Sequence, residues 1–238
     1  MGQEINFCVP TGNFGDILAG FYAKTMGLPV KTLICASNSN NVLTDFIETG
    51  VYDRNRPFYT TASPSMDILI SSNLERLLYQ LSGSDEQVRD YMNALNTTGR
   101  YEVSESLKER IQENFAAGWC SDQEAADNIA KVFGTEGYLM DTHTAVAYTV
   151  LEQYRKKTGD DTLSVVLSTA SPYKFCASVL DAMGVTEMKP GTEILNQLEE
   201  KTRTTAPAPL KSLSGKAVRF TQETEKQNMP QVVLDTLH

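Results

Sequence analysis

A chain of 238 residues, 41% of them hydrophobic, is long enough to bury a sizeable core, and its net charge of -9 argues against a general binder of nucleic-acid backbone. No apolar run is long enough to span a bilayer, and the start Met1-Gly2-Gln3-Glu4 lacks the basic and apolar regions of a signal peptide; a cytoplasmic protein with no membrane partner is the expectation. Cys8, Cys35, Cys120 and Cys176 are scattered without a Cys-x-x-Cys pair, which points to reduced structural thiols and no metal site.

Ile5 to Val9 is an apolar run stopped by Pro10 and reads as a buried strand. Thr11-Gly12-Asn13-Phe14-Gly15 follows as a tight turn. From Asp16 to Met26 the period becomes helical, with Ile17, Leu18, Phe21 and Tyr22 on one face; Gly27 and Pro29 end it. Val30 to Ala36 is a second strand, which completes a βαβ unit and implies a parallel sheet. Asp85 to Leu95, Ser104 to Ala117 and Asp122 to Phe133 read as amphipathic helices, with capping boxes expected at Ser84-x-x-Gln87 and Ser121-x-x-Glu124. The stretch 84–135 therefore reads as a helical insertion.

The α/β pattern then returns. Thr142 to Lys157 is a helix ending near Gly159, and Leu163 to Leu167 is a third strand. Pro172 opens a helix that runs to Met183 and closes at Gly184. Val185 to Leu198 holds a turn and a short helix. From 202 to 238 the chain reads as a C-terminal extension, Thr-, Ala- and Pro-rich at first, with Val232 to Leu237 as a terminal element that docks. Such a thin set of strands implies a partial, mainly parallel sheet in a three-layer αβα arrangement that begins in mid-fold.

The strongest chemical feature is Val9-Pro10-Thr11-Gly12-Asn13-Phe14-Gly15-Asp16. A strand that turns through glycines into a helix aims free amides at one point, and these with the helix dipole hold a phosphate. The spacing is neither that of a Walker loop nor of a dinucleotide fingerprint. The residues alone leave a structural turn equally open. Asp16 would repel a phosphate if aimed at it, so its place is to the side, capping an amide or ordering the loop.

VPTGNFGDILAG is very similar to the phosphate loop of threonine synthases of the yeast and enteric-bacterial kind. SNSNNVLTDFIETGVY, SPSMDILISSNLERLLY, DTHTAVAY and STASPYKF resemble further segments of that family, in order from Ile5 to Phe175. The resemblance implies a fold-type-II pyridoxal phosphate enzyme that converts O-phosphohomoserine and water to threonine and phosphate. On that reading residues 1–238 are a large cofactor-binding domain truncated on its N-terminal side. It implies a cofactor phosphate cup of Gly12, Asn13, Phe14, Gly15 and Asp16, with Thr169 at the pyridine nitrogen. Taken by itself, Thr169 also reads as a threonine satisfying a strand end.

The resemblance places Ser63, Ser65, Asp67, Ser71, Ser72, Asn73 and Arg76 in the second signature, where they are candidates for binding a small phosphorylated amino-acid substrate. Arg76 suits a bidentate phosphate grip, or a pair with Glu75 or Asp67. Asn38, Asn40 and Asn41 line the same cleft or serve turns. Only His143 and His238 are histidines, and His143 sits at a helix start where capping or packing outweighs catalysis. Thr142 and Ser171 stand where the family has proline and histidine. The family's cofactor-bearing lysine lies in a phenylalanine-lysine-aspartate segment, which does not occur here, while Lys24, Lys31 and Lys174 are in no matching context. The expectation is a chain inactive alone, completed by an N-terminal half, with an exposed surface prone to oligomerise and a loop that orders poorly. A related phospholyase and a non-catalytic binding module are the alternatives.

Overall fold

The computed structural model describes residues 2–237; Met1 and His238 lie outside them. The elements are β1 (Ile5–Pro10), α1 (Gly15–Thr25), β2 (Val30–Ser37), α2 (Val42–Thr49), β3 (Val51–Asp53), α3 (Leu74–Ser82), α4 (Asp85–Thr97), β4 (Arg100–Glu102), α5 (Glu105–Gln112), β5 (Phe115–Trp119), α6 (Asp122–Glu136) and α7 (Thr142–Thr158). They continue with β6 (Ser164–Val166), α8 (Cys176–Ala182), α9 (Glu193–Thr202), α10 (Ala208–Lys211) and α11 (Met229–Thr236).

Near-continuous apolar runs make β1 and β2 the buried centre of a four-stranded parallel sheet ordered β5-β2-β1-β6. Leu33 and Cys35 face a core formed with α1, α2, α3 and α5, whereas Cys8, Ile34 and Ala36 face the core of α6, α7 and α8. This is the three-layer architecture expected from the βαβ signal. Burying each Leu or Ile of these strands stabilises the fold by about 1.5–3 kcal/mol. β3 and β4 pair antiparallel away from the main sheet, where Tyr52 stacks on Tyr101 with ring centroids 5.3 Å apart.

The all-helical reading of 84–135 needs correction. The helix expected over Ser104 to Ala117 stops at Gln112, and Phe115 to Trp119 forms the outer strand β5 beside β2. Ala116 and Ala117 favour a helix there, but tertiary context readily overrides such a propensity. Pairing with Leu33 to Ser37 and the packing of Phe115 on Phe14 (5.6 Å) and Phe21 (5.7 Å) outweigh that propensity. The full capping box forms at Ser121–Glu124, whereas Ser84 accepts only from the Gln87 amide. α7 runs as expected from its Asp141 cap to Gly159, which takes φ 70°. At the C-terminus α11 forms but does not bury an apolar face: Val233 is 59% and Leu234 53% exposed.

At the N-terminal end of the sheet Asp160 joins several elements. It accepts from Lys31 Nζ, Thr162 Oγ1, Asn6 Nδ2 and Tyr154 Oη, and the bonds from Lys31, Thr162 and Asn6 hold its carboxyl well below the usual range. Among the described residues no helix is long and apolar enough to cross a membrane, and no cluster of metal-ligating side chains occurs.

Candidate functional site

From β1 the chain moves to β2 and β5 on one side, then crosses back to β6 on the other. The crevice outside the carboxyl ends of β1 and β6 is therefore the topological switch point, the usual ligand position in open α/β sheets. The glycine loop leaves β1 at that crevice.

Thr11 fixes the start of the loop: its amide donates to the Ala36 carbonyl at 2.8 Å and its hydroxyl to the Val9 carbonyl at 2.7 Å. Phe14 then takes a left-handed conformation, φ 66°, costly for a non-glycine residue. Its ring is buried against Phe115, which holds it there. α1 starts at Gly15 with no side-chain cap, and the first helical bond runs from the Leu18 amide to the Phe14 carbonyl. The amides from Gly12 to Ile17 thus have no acceptor among the described residues. They surround a cleft of about 240 Å³ lined by Val9 to Ile17. Asp16 is exposed in the first turn and makes no ion pair among the described residues.

The loop rests on the segment from Thr61 to Asn73. Ser71 Oγ donates to the Gly12 carbonyl at 2.9 Å, and the Asn73 amide and Nδ2 both donate to the Asn13 carbonyl, at 3.1 and 2.8 Å. The Ser65 carbonyl lies so close that a Cβ on Gly12 would come within 2.6 Å of it. The segment is itself braced. Tyr52 Oη accepts from the Ser71 amide and donates to the Leu69 carbonyl; burial pushes this phenol up to about 12. Asp67 accepts from Asn38, Asn40 and Thr61.

His143, only 3% exposed, links this segment to α7. Its Nε2 accepts from the Ser65 amide at 3.2 Å, its Nδ1 lies 3.2 Å from Asp141 Oδ1, and its ring packs 4.8 Å from that of Phe175. Asp141 also caps the amides of His143 and Thr144 and accepts from the Thr144 hydroxyl. Burial alone would raise this carboxyl, but the hydrogen bonds from His143 and Thr144 outweigh it and hold the group below its ordinary value.

The sequence candidates divide by what their polar atoms do. Ser63 is buried, and both Ser63 and Asp67 are engaged with Asn38 and Thr61. Asn40 binds Asp67 and the Tyr59 backbone, and Asn41 accepts from Arg56. Ser65, Ser72 and Arg76 have exposed side chains, and Arg76 pairs with neither Glu75 nor Asp67. Asn73 supports the loop. Thr169 is exposed just beyond β6, and because Cys8 aligns with Val166, it shares the switch-point end with the loop. Lys24 donates to the Lys31 carbonyl and Lys31 pairs with Asp160, both at the opposite end of the sheet, while the Lys174 amine lies 6.0 Å from the Phe175 ring centroid. The sequence gives no sign of Tyr52 or the Asp141–His143–Ser65 chain as support for the loop beyond the helix start at His143. A larger cleft of about 390 Å³ runs along the outer edge of β5 between α2 and α7.

The parallel sheet with helices on both faces and a glycine loop at the switch point is an α/β domain with the fold of the fold-type-II pyridoxal phosphate enzymes on which it superposes. Residues 144–214 match the family model described as threonine synthase, C-terminal. Threonine synthase-like 1 from Homo sapiens is 43% identical over 190 residues, which cover 79% of this chain and 25% of that protein. A threonine synthase from Brucella melitensis solved with PLP bound superposes with TM-score 0.73 and 42% identity, covering 83% of this chain and 42% of its own. The yeast threonine synthase structure gives TM-score 0.83 and 32% identity, covering 98% and 47%. Residues 144–214 thus match the C-terminal domain of threonine synthases, and the chain, similar to these proteins over most of its own length, spans from a quarter to just under half of theirs.

Proposed function

We propose that this chain supplies the phosphate-holding side of a pyridoxal phosphate site, in an enzyme that converts O-phospho-L-homoserine and water to L-threonine and phosphate. The observation that carries the reading is the run of unpaired amides from Gly12 to Ile17 at the switch point. A phosphate fits that cradle because it needs donors rather than side-chain charge, and Gly12, Asn13, Phe14, Gly15 and Asp16 would hold it through the backbone. Thr169 would face the ring nitrogen from the end of β6. When bound, the cofactor supplies an electron sink for the carbon chemistry. Ser72 and Arg76, exposed on either side of Asn73 and the start of α3, would be the side chains offered to a substrate phosphate.

Lys24 and Lys31 are tied down at the far end of the sheet and Lys174 stands over Phe175, so this stretch by itself is read as binding without turnover. The test is a titration with pyridoxal phosphate and with pyridoxal, which lacks the phosphate. Saturable binding of the phosphorylated form alone is expected, with no stoichiometric borohydride-stable adduct at one lysine. Equal binding of both would refute the cradle, and a single-lysine adduct would refute the division of labour. In the whole protein, release of phosphate with threonine from O-phospho-L-homoserine tests the reaction. Release of phosphate without threonine would instead favour a related phospholyase, a reading kept by the equal resemblance to threonine synthase-like 1.

A further inference from the structure

His143 is buried, makes directional contacts on both ring nitrogens, and is not part of the cleft lining. A ring nitrogen that accepts a hydrogen bond carries no proton, so Nε2, facing the Ser65 amide, is bare. Nδ1 faces a carboxylate held ionised by its surroundings and therefore carries the proton. The two contacts select one neutral tautomer. They also connect the start of α7 to Ser65, whose carbonyl lies against Gly12.

We propose that His143, in its neutral form with the proton on Nδ1, is a positioning residue for the phosphate loop: Nε2 fixes the Ser65 backbone on which the Gly12 turn rests. The role follows from chemistry rather than volume. An apolar ring at 143 would fill the space against Phe175, yet it would take away the side-chain acceptor of the Ser65 amide. Glutamine offers an amide oxygen at similar reach and should restore the bond. The phosphate-binding consequence rests on the function proposed above; the mechanical link between His143 and the loop does not.

Three measurements on the full chain test it. Because the chain has only two histidines, nitrogen NMR can assign their tautomers cleanly. One ring should show a pyridine-type Nε2 and a protonated Nδ1; the reverse assignment for His143 would overturn the proposal. Hydrogen exchange of the peptides carrying Ser65 and Gly12 to Ile17 should accelerate in His143→Phe and return toward native rates in His143→Gln. Pyridoxal phosphate affinity should fall roughly tenfold in the Phe variant and recover to within about threefold in the Gln variant. Unchanged exchange and affinity in the Phe variant would refute positioning while leaving the cradle intact. If the native chain binds no pyridoxal phosphate yet loop exchange still follows the Phe and Gln pattern, the cradle fails and positioning stands. Should His143→Phe fail to fold, native-like loop exchange in His143→Gln together with the tautomer supports the link, and loss of loop protection in His143→Gln refutes it.

Discussion

Replacing Gly12 with alanine isolates the contact on which the loop rests. Gly12 does not have a positive φ, so alanine meets no backbone strain, and its smaller unfolded-state entropy would by itself stabilise by about 0.4–1 kcal/mol. Against this, the new Cβ would lie 2.6 Å from the Ser65 carbonyl oxygen and 3.4 Å from Met66 Cα, both main-chain atoms. They cannot rotate aside, and the Ser65 amide is held by His143. Forcing a methyl group into packed surroundings costs about 1–3 kcal/mol. The net expectation is a loss of about 1–2 kcal/mol, read as a fall of roughly 0.5–1 M in the urea midpoint at unchanged slope. A backbone shift of a few tenths of an ångström also misaims the amides, so pyridoxal phosphate affinity should drop about tenfold or more. Gly15→Ala is the control: its Cβ would meet only Asn73 Nδ2, at 3.7 Å, and stability should not fall. A Gly12→Ala protein with native midpoint and native affinity would refute the argument that the turn is pressed onto Ser65.

Tyr52→Phe should cost about 1–2 kcal/mol in denaturant unfolding, because the Ser71 amide and Leu69 carbonyl both lose their partner, and exchange around Gly12 should quicken through Ser71. Asp141→Asn should cost about 1–2 kcal/mol at neutral pH, since asparagine still caps α7 but accepts the His143 and Thr144 hydrogens less strongly. Its pH dependence has a definite sign. The native carboxyl is held below its ordinary value of 3.8, so its contribution is complete above that value and is lost as the pH falls beneath it. Stability measured on descending below about pH 4 should therefore fall more steeply in the native chain than in the Asn variant. All four cysteines are buried, and burial pushes Cys35 and Cys120 up to about 12 and Cys8 higher still. A thiol reagent should find no fast-reacting group in the native protein and all four after denaturation.

What the sequence revealed follows the range of the interactions involved. The β1–α1–β2 unit, the Asp141 cap, the Ser121–Glu124 capping box and the stop at Gly159 rest on contacts within a few residues, and local pattern exposes them. β5 was hidden because Phe115 to Trp119 acquires its conformation from β2 and from Phe14 and Phe21, all distant in sequence. The terminal helix α11 was legible as an element, but its amphipathic pattern said nothing about whether a surface waits to receive it. At the site, the turn from β1 into α1 with its free amides could be read from VPTGNFGD because a turn between strand and helix is local. The bond from Ser65 to His143 spans 78 residues, and no spacing rule reports such a pair.

The same distinction changes the meaning of the Ser63–Asn73 signature. Its serines, aspartate and asparagine look like a row of ligand groups. In the folded chain most of them are occupied by the protein: Ser63 and Asp67 by Asn38 and Thr61, Ser71 by the Gly12 carbonyl, and Asn73 by the Asn13 carbonyl. A cradle of main-chain amides needs such support, because a backbone donor is only as well aimed as the loop is fixed. The side chains of Asn13 and Asp16, though inside the loop, are exposed and do little to fix it. If the loop holds a phosphate as proposed, its specificity would depend less on the loop's own side chains than on the residues that hold Gly12 and Asn13 from below, and their substitution should damage binding before it damages the fold.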